Sequence, residues 1–230
     1  MSCLAAYQVD IFGIAETNTC WNHYHLMADV RNHAQKHFRQ NRISFGSPSR
    51  EIDTCGETET YQAGGNVTVS TGKATSCSES VLLSDPTGLG RWSGLTFHGK
   101  QNTKVSIITA YRCCKGSIKT VSLGSTYARE HKYFKTQGVQ SPNPRNIFLT
   151  DLTEYMTQIR DGNEDHSIVL MLDANSVLAE DWKFQEFVSQ QELFDLHGHD
   201  PAPSTFIGAK NRRIDYILGT ERIVHGLKRS

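Results

Sequence analysis

The chain has 230 residues and a mass of 25.8 kDa, with 24 basic and 24 acidic side chains and 37% hydrophobic residues. That length suits one domain with room for a real core, so residues 1–230 are read as a single domain. The charge balance excludes wholesale electrostatic attraction to nucleic acid and leaves only a local basic groove open, and no run approaches the roughly 18 apolar residues of a membrane span.

The first apolar run, Val9-Asp10-Ile11-Phe12-Gly13-Ile14-Ala15, closes on Glu16 and reads as a buried strand. Asn18-Thr19 then offers an N-cap for a helix from about Trp21 to Arg39, with Leu26, Val30, Ala34 and Phe38 as its buried stripe. Ile43–Gly46 is a short strand, 47–62 a polar loop, and Gly64–Ser70 an alternating strand. Val81-Leu82-Leu83 reads as a short strand before the turn Asp85-Pro86-Thr87-Gly88. Two strands follow, Gly94–His98 and Val105–Tyr111, about a turn at Gly99–Asn102.

The middle is helical. Thr126–Thr136 is a short helix, Ser141-Pro142-Asn143-Pro144 a breaker, and Arg145–Arg160 a helix with the stripe Leu149, Leu152, Met156 and Ile159. It delivers the chain to the strand Ile168–Leu172, closed by Asp173-Ala174-Asn175. Leu178–Gln191 reads as a third helix, 200–208 as a Pro-containing loop, and Arg213–Leu218 as a strand interrupted by Asp215. Strands interleaved with helices and with hairpin-like strand pairs mean an α/β or α+β layered domain.

Met1-Ser2-Cys3-Leu4-Ala5-Ala6 lacks the basic flank and apolar stretch of a signal peptide. Cys3, Cys20, Cys55, Cys77, Cys113 and Cys114 include no Cys-x-x-Cys pair, so reduced thiols in a soluble intracellular protein, with no disulfide-linked partner, are expected. His23/His25 and His197/His199 have an i, i+2 spacing that joins two rings only on extended backbone, so neither is expected to be a metal pair.

The chemistry-bearing residues are isolated acids and amides at strand ends: Glu16, Asp173, Asn175 and Asp215. Strand ends that converge would collect these oxygens around one hard cation, the layout of a magnesium-dependent phosphoester hydrolase. Each residue also has a plainer reading. Glu16 would be a polar strand end, Asp173 with Asn175 an Asx-turn, Asp215 an ion-pair partner of Arg212 or Arg213, and Tyr111 an ordinary strand-end aromatic. Lys210, Arg212 and Arg213 would either grip a phosphate backbone or form a solvated loop.

Ala15-Glu16-Thr17-Asn18, Thr109-Ala110-Tyr111, Leu172-Asp173-Ala174-Asn175 and Arg213-Ile214-Asp215-Tyr216, in this order and each at a strand end, resemble the endonuclease/exonuclease/phosphatase superfamily of DNase I-like proteins. More narrowly, Asn143–Leu152 and Asp200–Asp215, with Ser204-Thr205-Phe206 and Gly208, resemble the nuclease domains of retrotransposon-type mobile elements. The resemblance implies a four-layer sandwich, two mixed β-sheets face to face with helices outside and the active site at one end. It implies that Glu16 binds the catalytic magnesium, with manganese as a substitute, and that Asp173 orients or deprotonates the attacking water. Asn175 would hydrogen-bond a phosphate oxygen, Tyr111 would sit against the scissile phosphate, and Asp215 would hold a histidine. Thr205, Lys210, Arg212 and Arg213 would contact phosphate or nucleic acid. DNA is then the expected substrate, with no membrane involved.

Two pieces of the family pattern have no counterpart: a first strand whose Asn supports the metal-binding Glu, and a last strand carrying Ser-Asp-His. His225 follows Asp215 but lacks a preceding Asp. The expectation is an incomplete domain with an opened core, uncovered apolar edges and impaired catalysis. A non-catalytic remnant or nucleic-acid-binding fragment is one alternative. A phosphatase for a small molecule or phosphoinositide is another, and it would show a compact pocket in place of a basic groove.

Overall fold

A computed structural model describes residues 1–48, 61–116, 118, 121, 122, 124–163, 165–197, 204–207 and 211–227. Lys210, Cys55, His199 and most of the expected loops at 47–62 and 200–208 lie outside the described residues.

The short helix α1 (Ser2–Ala6) leads into β1 (Ile11–Ala15), α2 (Tyr24–His37), β2 (Asn41–Gly46) and β3 (Asn66–Thr71). One helical turn, α3 (Gly72–Thr75), precedes the meander β4 (Ser78–Ser84), β5 (Trp92–His98) and β6 (Lys104–Tyr111). Then come α4 (Thr126–Thr136), α5 (Pro144–Arg160), β7 (His166–Asp173), α6 (Trp182–Gln190), β8 (Leu193–Asp195), β9 (Asp215–Thr220) and α7 (Glu221–Leu227).

The strands form two sheets. One has the order β1-β3-β2, the other β4-β5-β6-β7-β9-β8. In the larger sheet β6 and β7 run parallel, joined across α4 and α5, and the other pairs are antiparallel. The smaller sheet is wholly antiparallel, so only one of the two sheets expected to be mixed is mixed. Helix α2 carries the chain from β1 over to β2, and β3 fills the place between them, antiparallel to both. Among the described strands β1 pairs only with β3, and its other edge is open.

Period-2 alternation sorts the side chains into layers. On β3, Val67 and Val69 turn outward to a core shared with Phe12, Trp21, Ala34 and Phe38, against which Met1, Leu4, Leu26 and Val30 pack. The expected α2 stripe is therefore the packed one. Asn66, Thr68 and Ser70 turn inward and are completely buried between the sheets. There Thr68 Oγ1 lies 2.7 Å from Thr109 Oγ1 and 3.0 Å from the Ser93 carbonyl oxygen, so hydroxyls bind sheet to sheet. Gly13 makes this approach possible, since a Cβ there would meet Thr109 Oγ1 at 2.3 Å and Met171 Cε at 2.7 Å.

The outer face of the large sheet carries the main core. Ile108, Ala110, Ile168, Leu170, Leu172 and Leu218 pack on Phe148, Leu152 and Met156 of α5 and on Phe184 and Phe187 of α6. Each fully buried side chain of this size contributes about 1.5–3 kcal/mol. Asn143 caps α5, its side chain accepting from the Asn146 N–H at 3.3 Å, and Pro144 opens the helix where its missing N–H costs nothing.

The expected helix Leu178–Gln191 is divided. A 3₁₀ turn at Leu178–Glu180 stops at Asp181, whose carboxylate accepts from the Phe184 N–H and caps α6. α3, β8 and α7 escaped the sequence reading because each is too short for a period to register. His23 and His25 are also closer than their spacing suggested, with ring centroids 5.5 Å apart, because His23 is the extended residue before α2.

Candidate active site at the end of the large sheet

Strand register assembles the site. Tyr111 at the end of β6 is the neighbour of Asp173 at the end of β7, and Asp173 faces Asp215 at the start of β9. Residues aligned across neighbouring strands share a face. Tyr111, Asp173 and Asp215 thus form one row across three strands, on the face turned to the smaller sheet. Glu16 follows the last residue of β1 on the opposing sheet.

The loops that carry these residues are held in unusual conformations. Glu16 and Asn175 both take left-handed backbone, with φ of 52° and 47°. Such non-glycine residues cost about 1–3 kcal/mol and cluster at functional sites. The Glu16 turn is held by its neighbours: Thr17 and Asn18 donate their N–H groups to the Gly65 and Gly64 carbonyls at 3.1 and 2.8 Å. At the other turn Asn175 donates its N–H to Asp173 Oδ1 at 3.1 Å. The Asx-turn reading is therefore correct in geometry, and among the described residues no hydrogen bond engages the second Asp173 oxygen.

The Asn175 amide is oriented at both ends. Its Nδ2 donates to the Arg112 carbonyl at 2.9 Å, and its Oδ1 accepts from Cys114 Sγ at 3.2 Å. One Nδ2 hydrogen remains for a substrate oxygen. The Tyr111 phenol lies 3.9 Å from the same thiol. Burial, with Cys114 and the Glu16 carboxylate nearby, raises its pKa, so the phenol keeps its proton and acts as a donor.

Sequence reasoning assigned no role to Arg145, although it stands in the Asn-Pro-Arg motif. Its guanidinium, buried at the first turn of α5, donates to the carbonyls of Cys113, Ala174 and Asn175 and to Ser176 Oγ. It ties the loop after β6 to the loop after β7, which positions Tyr111 and Asn175 together. Arg112 completes the clamp, with Nε on the Arg145 carbonyl at 3.0 Å and Nη1 on Asp181 at 2.8 Å. The available signal was a charged residue immediately after the helix-opening Pro144, where solvent exposure is not required by the apolar stripe.

A cavity of about 470 Å³ opens between the sheets, lined by Gly13, Ala15, Thr109, Met171 and Ile217 and, at its polar end, by Asp173 and Asp215. Burial in this largely apolar space, with the Asp215 and Glu16 carboxylates beside it, pushes Asp173 up to about 7. His197 lines the same cavity, yet no histidine hydrogen-bonds Asp215 among the described residues. His225 lies on α7, beyond the far end of β9 and roughly 17 Å of strand from Asp215.

The residues proposed for phosphate contact divide. Arg213 is engaged by both Asp195 oxygens and stacks on Tyr216 at 4.7 Å, so its charge is already matched. The Thr205 hydroxyl accepts the N–H groups of Ile214 and Asp215 at 3.0 and 3.1 Å and so fixes the start of β9. Arg212 is exposed and lines a second cavity beside Asn175. Lys210 lies outside the described residues.

Among the described residues no cluster of three or more His, Cys, Asp or Glu side chains is drawn tightly enough to hold a metal by itself. The donor set still suits a hard cation. Glu16, Asp173 and Asp215 offer only oxygens and burden one another electrostatically, and magnesium accepts one or two carboxylates while keeping several waters.

Two sheets packed face to face with helices outside form a DNase I-like fold, the fold of solved endonuclease/exonuclease/phosphatase family proteins. Among solved structures, the chain is similar to the human Nocturnin catalytic domain, with a TM-score of 0.57 and 12% identity over 95% of this chain and 72% of that one. It is similar also to the Bacteroides thetaiotaomicron mannosyl-6-phosphatase, with a TM-score of 0.56 and 14% identity over 95% of this chain and 74% of that one. An endonuclease/exonuclease/phosphatase family protein from Leptotrichia buccalis matches with a TM-score of 0.53 and 13% identity over 96% and 78%. No protein-family model and no curated protein matches the sequence. No helix among the described residues is long and apolar enough to cross a membrane.

Proposed function

We propose that the domain 1–230 is a divalent-cation-dependent phosphodiesterase acting on nucleic acid, a DNA endonuclease of the mobile-element kind. The observation that carries the reading is the row Tyr111–Asp173–Asp215, with Asn175 oriented at both ends one turn beyond it. The fold likeness to a phosphatase and to an endonuclease/exonuclease/phosphatase family protein supports phosphate-ester hydrolysis as the reaction class.

Magnesium or manganese, held by Glu16, would polarise the phosphoryl oxygen and offset the charge that builds on it. The chain's own residues do the rest. Asp173, with one oxygen free and a pKa near 7, takes the proton of the attacking water at neutral pH. Asn175 hydrogen-bonds a non-bridging oxygen with its remaining N–H, and Tyr111 hydrogen-bonds another with its phenolic O–H, keeping the proton. Asp215 raises the basicity of Asp173 from across the strand pair.

Nicking of supercoiled plasmid by the purified chain, with magnesium and with chelator, tests this reading beside Glu16→Ala and Asp173→Asn. Magnesium-dependent nicking lost in both variants is the expected result. Release of phosphate from sugar phosphates without nicking would favour a phosphatase, the reading that the similarity to the mannosyl-6-phosphatase supports. Folded protein inactive on both would be a non-catalytic remnant, in keeping with an Asp215 that no histidine hydrogen-bonds among the described residues.

A further inference from the structure

Asn175 lines a second cavity of about 440 Å³, bordered by Arg112, Arg145, Lys115, Trp182, Lys183 and Arg212. Its floor is built. The guanidiniums of Arg112 and Arg145 are almost fully buried, and one carboxylate, Asp181, serves both at 2.8 and 3.6 Å. Two buried cations on one anion leave a positive floor. Lys115, Lys183 and Arg212 add charge at the rim, where among the described residues Glu180 is the only other carboxylate in the lining; Lys183 also reaches Glu186 at 2.9 Å.

The aromatic component is as specific as the charge. Trp182 is 65% exposed, whereas Trp21 and Trp92 are buried in the two cores. The Lys183 ammonium stands 4.0 Å from the Trp182 ring centroid and occupies one face of the indole. The cavity thus offers a flat apolar face beside an excess of cations, and the oriented Asn175 amide is shared between it and the catalytic row.

We propose that this outer pocket binds one unstacked nucleotide of a nucleic-acid strand, its base on Trp182 and its phosphate on Lys115, Lys183 and Arg212. The proposal rests on the nucleic-acid reading of the inner site and deepens it: the strand is gripped where it is single-stranded or distorted, next to the phosphate presented to Asp173. A stacked, paired base cannot offer its face to Trp182, and a sugar phosphate has no aromatic face to stack on it.

Trp182 reports on the pocket itself, because the other two tryptophans are buried away from it. Titrating the full chain with oligothymidylate in chelator, where no cleavage occurs, should quench its fluorescence. Trp182→Ala should abolish the quench and lower affinity, measured by anisotropy of a labelled oligonucleotide, by about tenfold, the scale of one base–aromatic stack. Lys183→Gln and Arg212→Gln should each lower the slope of log K against log salt by about one. Oligouridylate binding equally well would assign the pocket to either nucleic acid and still support it.

Quenching by mannose 6-phosphate as strong as by the oligonucleotide would overturn the proposal in favour of a small-phosphate pocket. Unchanged anisotropy with folded Trp182→Ala would overturn it as well. Magnesium-dependent nicking without quench sinks the subsite and leaves the catalytic reading standing. Quench without nicking does the reverse.

Discussion

Asp173 and Asp181 flank the same Asn175–Ser176 turn, yet their surroundings drive them in opposite directions. Asp173 faces the apolar inter-sheet cavity; burial, followed by the Asp215 and Glu16 carboxylates, pushes it up to about 7. For Asp181 burial also disfavours the charge, but the Ser176 hydroxyl and the Arg112 guanidinium overcome it and hold the carboxyl down at about 2. On the inner wall the one arginine, Arg213, is already paired with Asp195, and the outer wall has more cations than its two described carboxylates, Asp181 and Glu180, require. The inner wall is therefore suited to receive a cation, and the outer wall to receive the phosphates of a substrate.

The largest expected effect breaks the inner wall. Asp173→Asn should lower the plasmid-nicking rate by ~10²–10⁴, because a positioned base is lost while the fold is kept. Its circular dichroism should match that of the parent chain and its thermal midpoint at neutral pH should be no lower, since the buried charge costs stability there; a rate within tenfold of the parent would remove Asp173 from the role of base.

Next in size is the seam between the walls. Arg145→Met leaves the carbonyls of Cys113, Ala174 and Asn175 without their shared donor, and unsatisfied buried groups cost about 1–3 kcal/mol each. Urea denaturation should show a loss of at least that order, with activity falling too. Arg145→Lys should recover part of the stability and little of the activity, since an ammonium cannot span both loops. Equal recovery of both would make Arg145 structural only.

A smaller effect tests the cation. Added magnesium should raise the melting temperature of the parent chain and not that of Glu16→Ala, because binding to the folded state alone stabilises it. Equal shifts in both proteins would place the cation elsewhere.

The smallest effect lies outside both walls and serves as a control. Glu130 on α4 is completely buried near Arg91 and Arg129, and burial outweighs their attraction to raise it from 4.5 to about 7. The folded protein thus keeps a proton that the unfolded chain releases. That stability is fully present below about pH 4.5 and lost as pH rises toward 7. Glu130→Gln should flatten the fall in melting temperature over that window without moving the nicking profile; an unchanged pH dependence would show that other groups govern it.

Much of this architecture was legible because each signal was local. Apolar runs of five to eight residues closed by Glu16, Asp173 or Tyr111 announced strands and their ends. The stripe Leu149, Leu152, Met156 announced α5, of which Leu149, Leu152 and Met156 are buried. Asp181 shows where local reading stops. Within Leu178–Gln191 the helical pattern is continuous, but the Asp181 side chain caps the second half, and only the clamp with Arg112 and Ser176 makes that break favourable. Arg213 shows the same limit from the other side. Its position beside Asp215 suggested phosphate, and Asp195 on β8, a strand too short to see, had already taken its charge.

The sequence by itself determined which residues end the strands, which faces of the strands and helices are apolar, and the order in which acids and amides occur along the chain. These follow from alternation and from the chemistry of single side chains. Tertiary structure alone decided that Tyr111, Asp173 and Asp215 stand in one row, that Arg145 joins two loops, and that Asp173 lines an apolar cavity while Asn175, two residues on, lines a cationic one. Register between distant strands sets those neighbours, and a carboxylate's charge state depends on what stands within a few ångströms of it, which no spacing along the chain encodes.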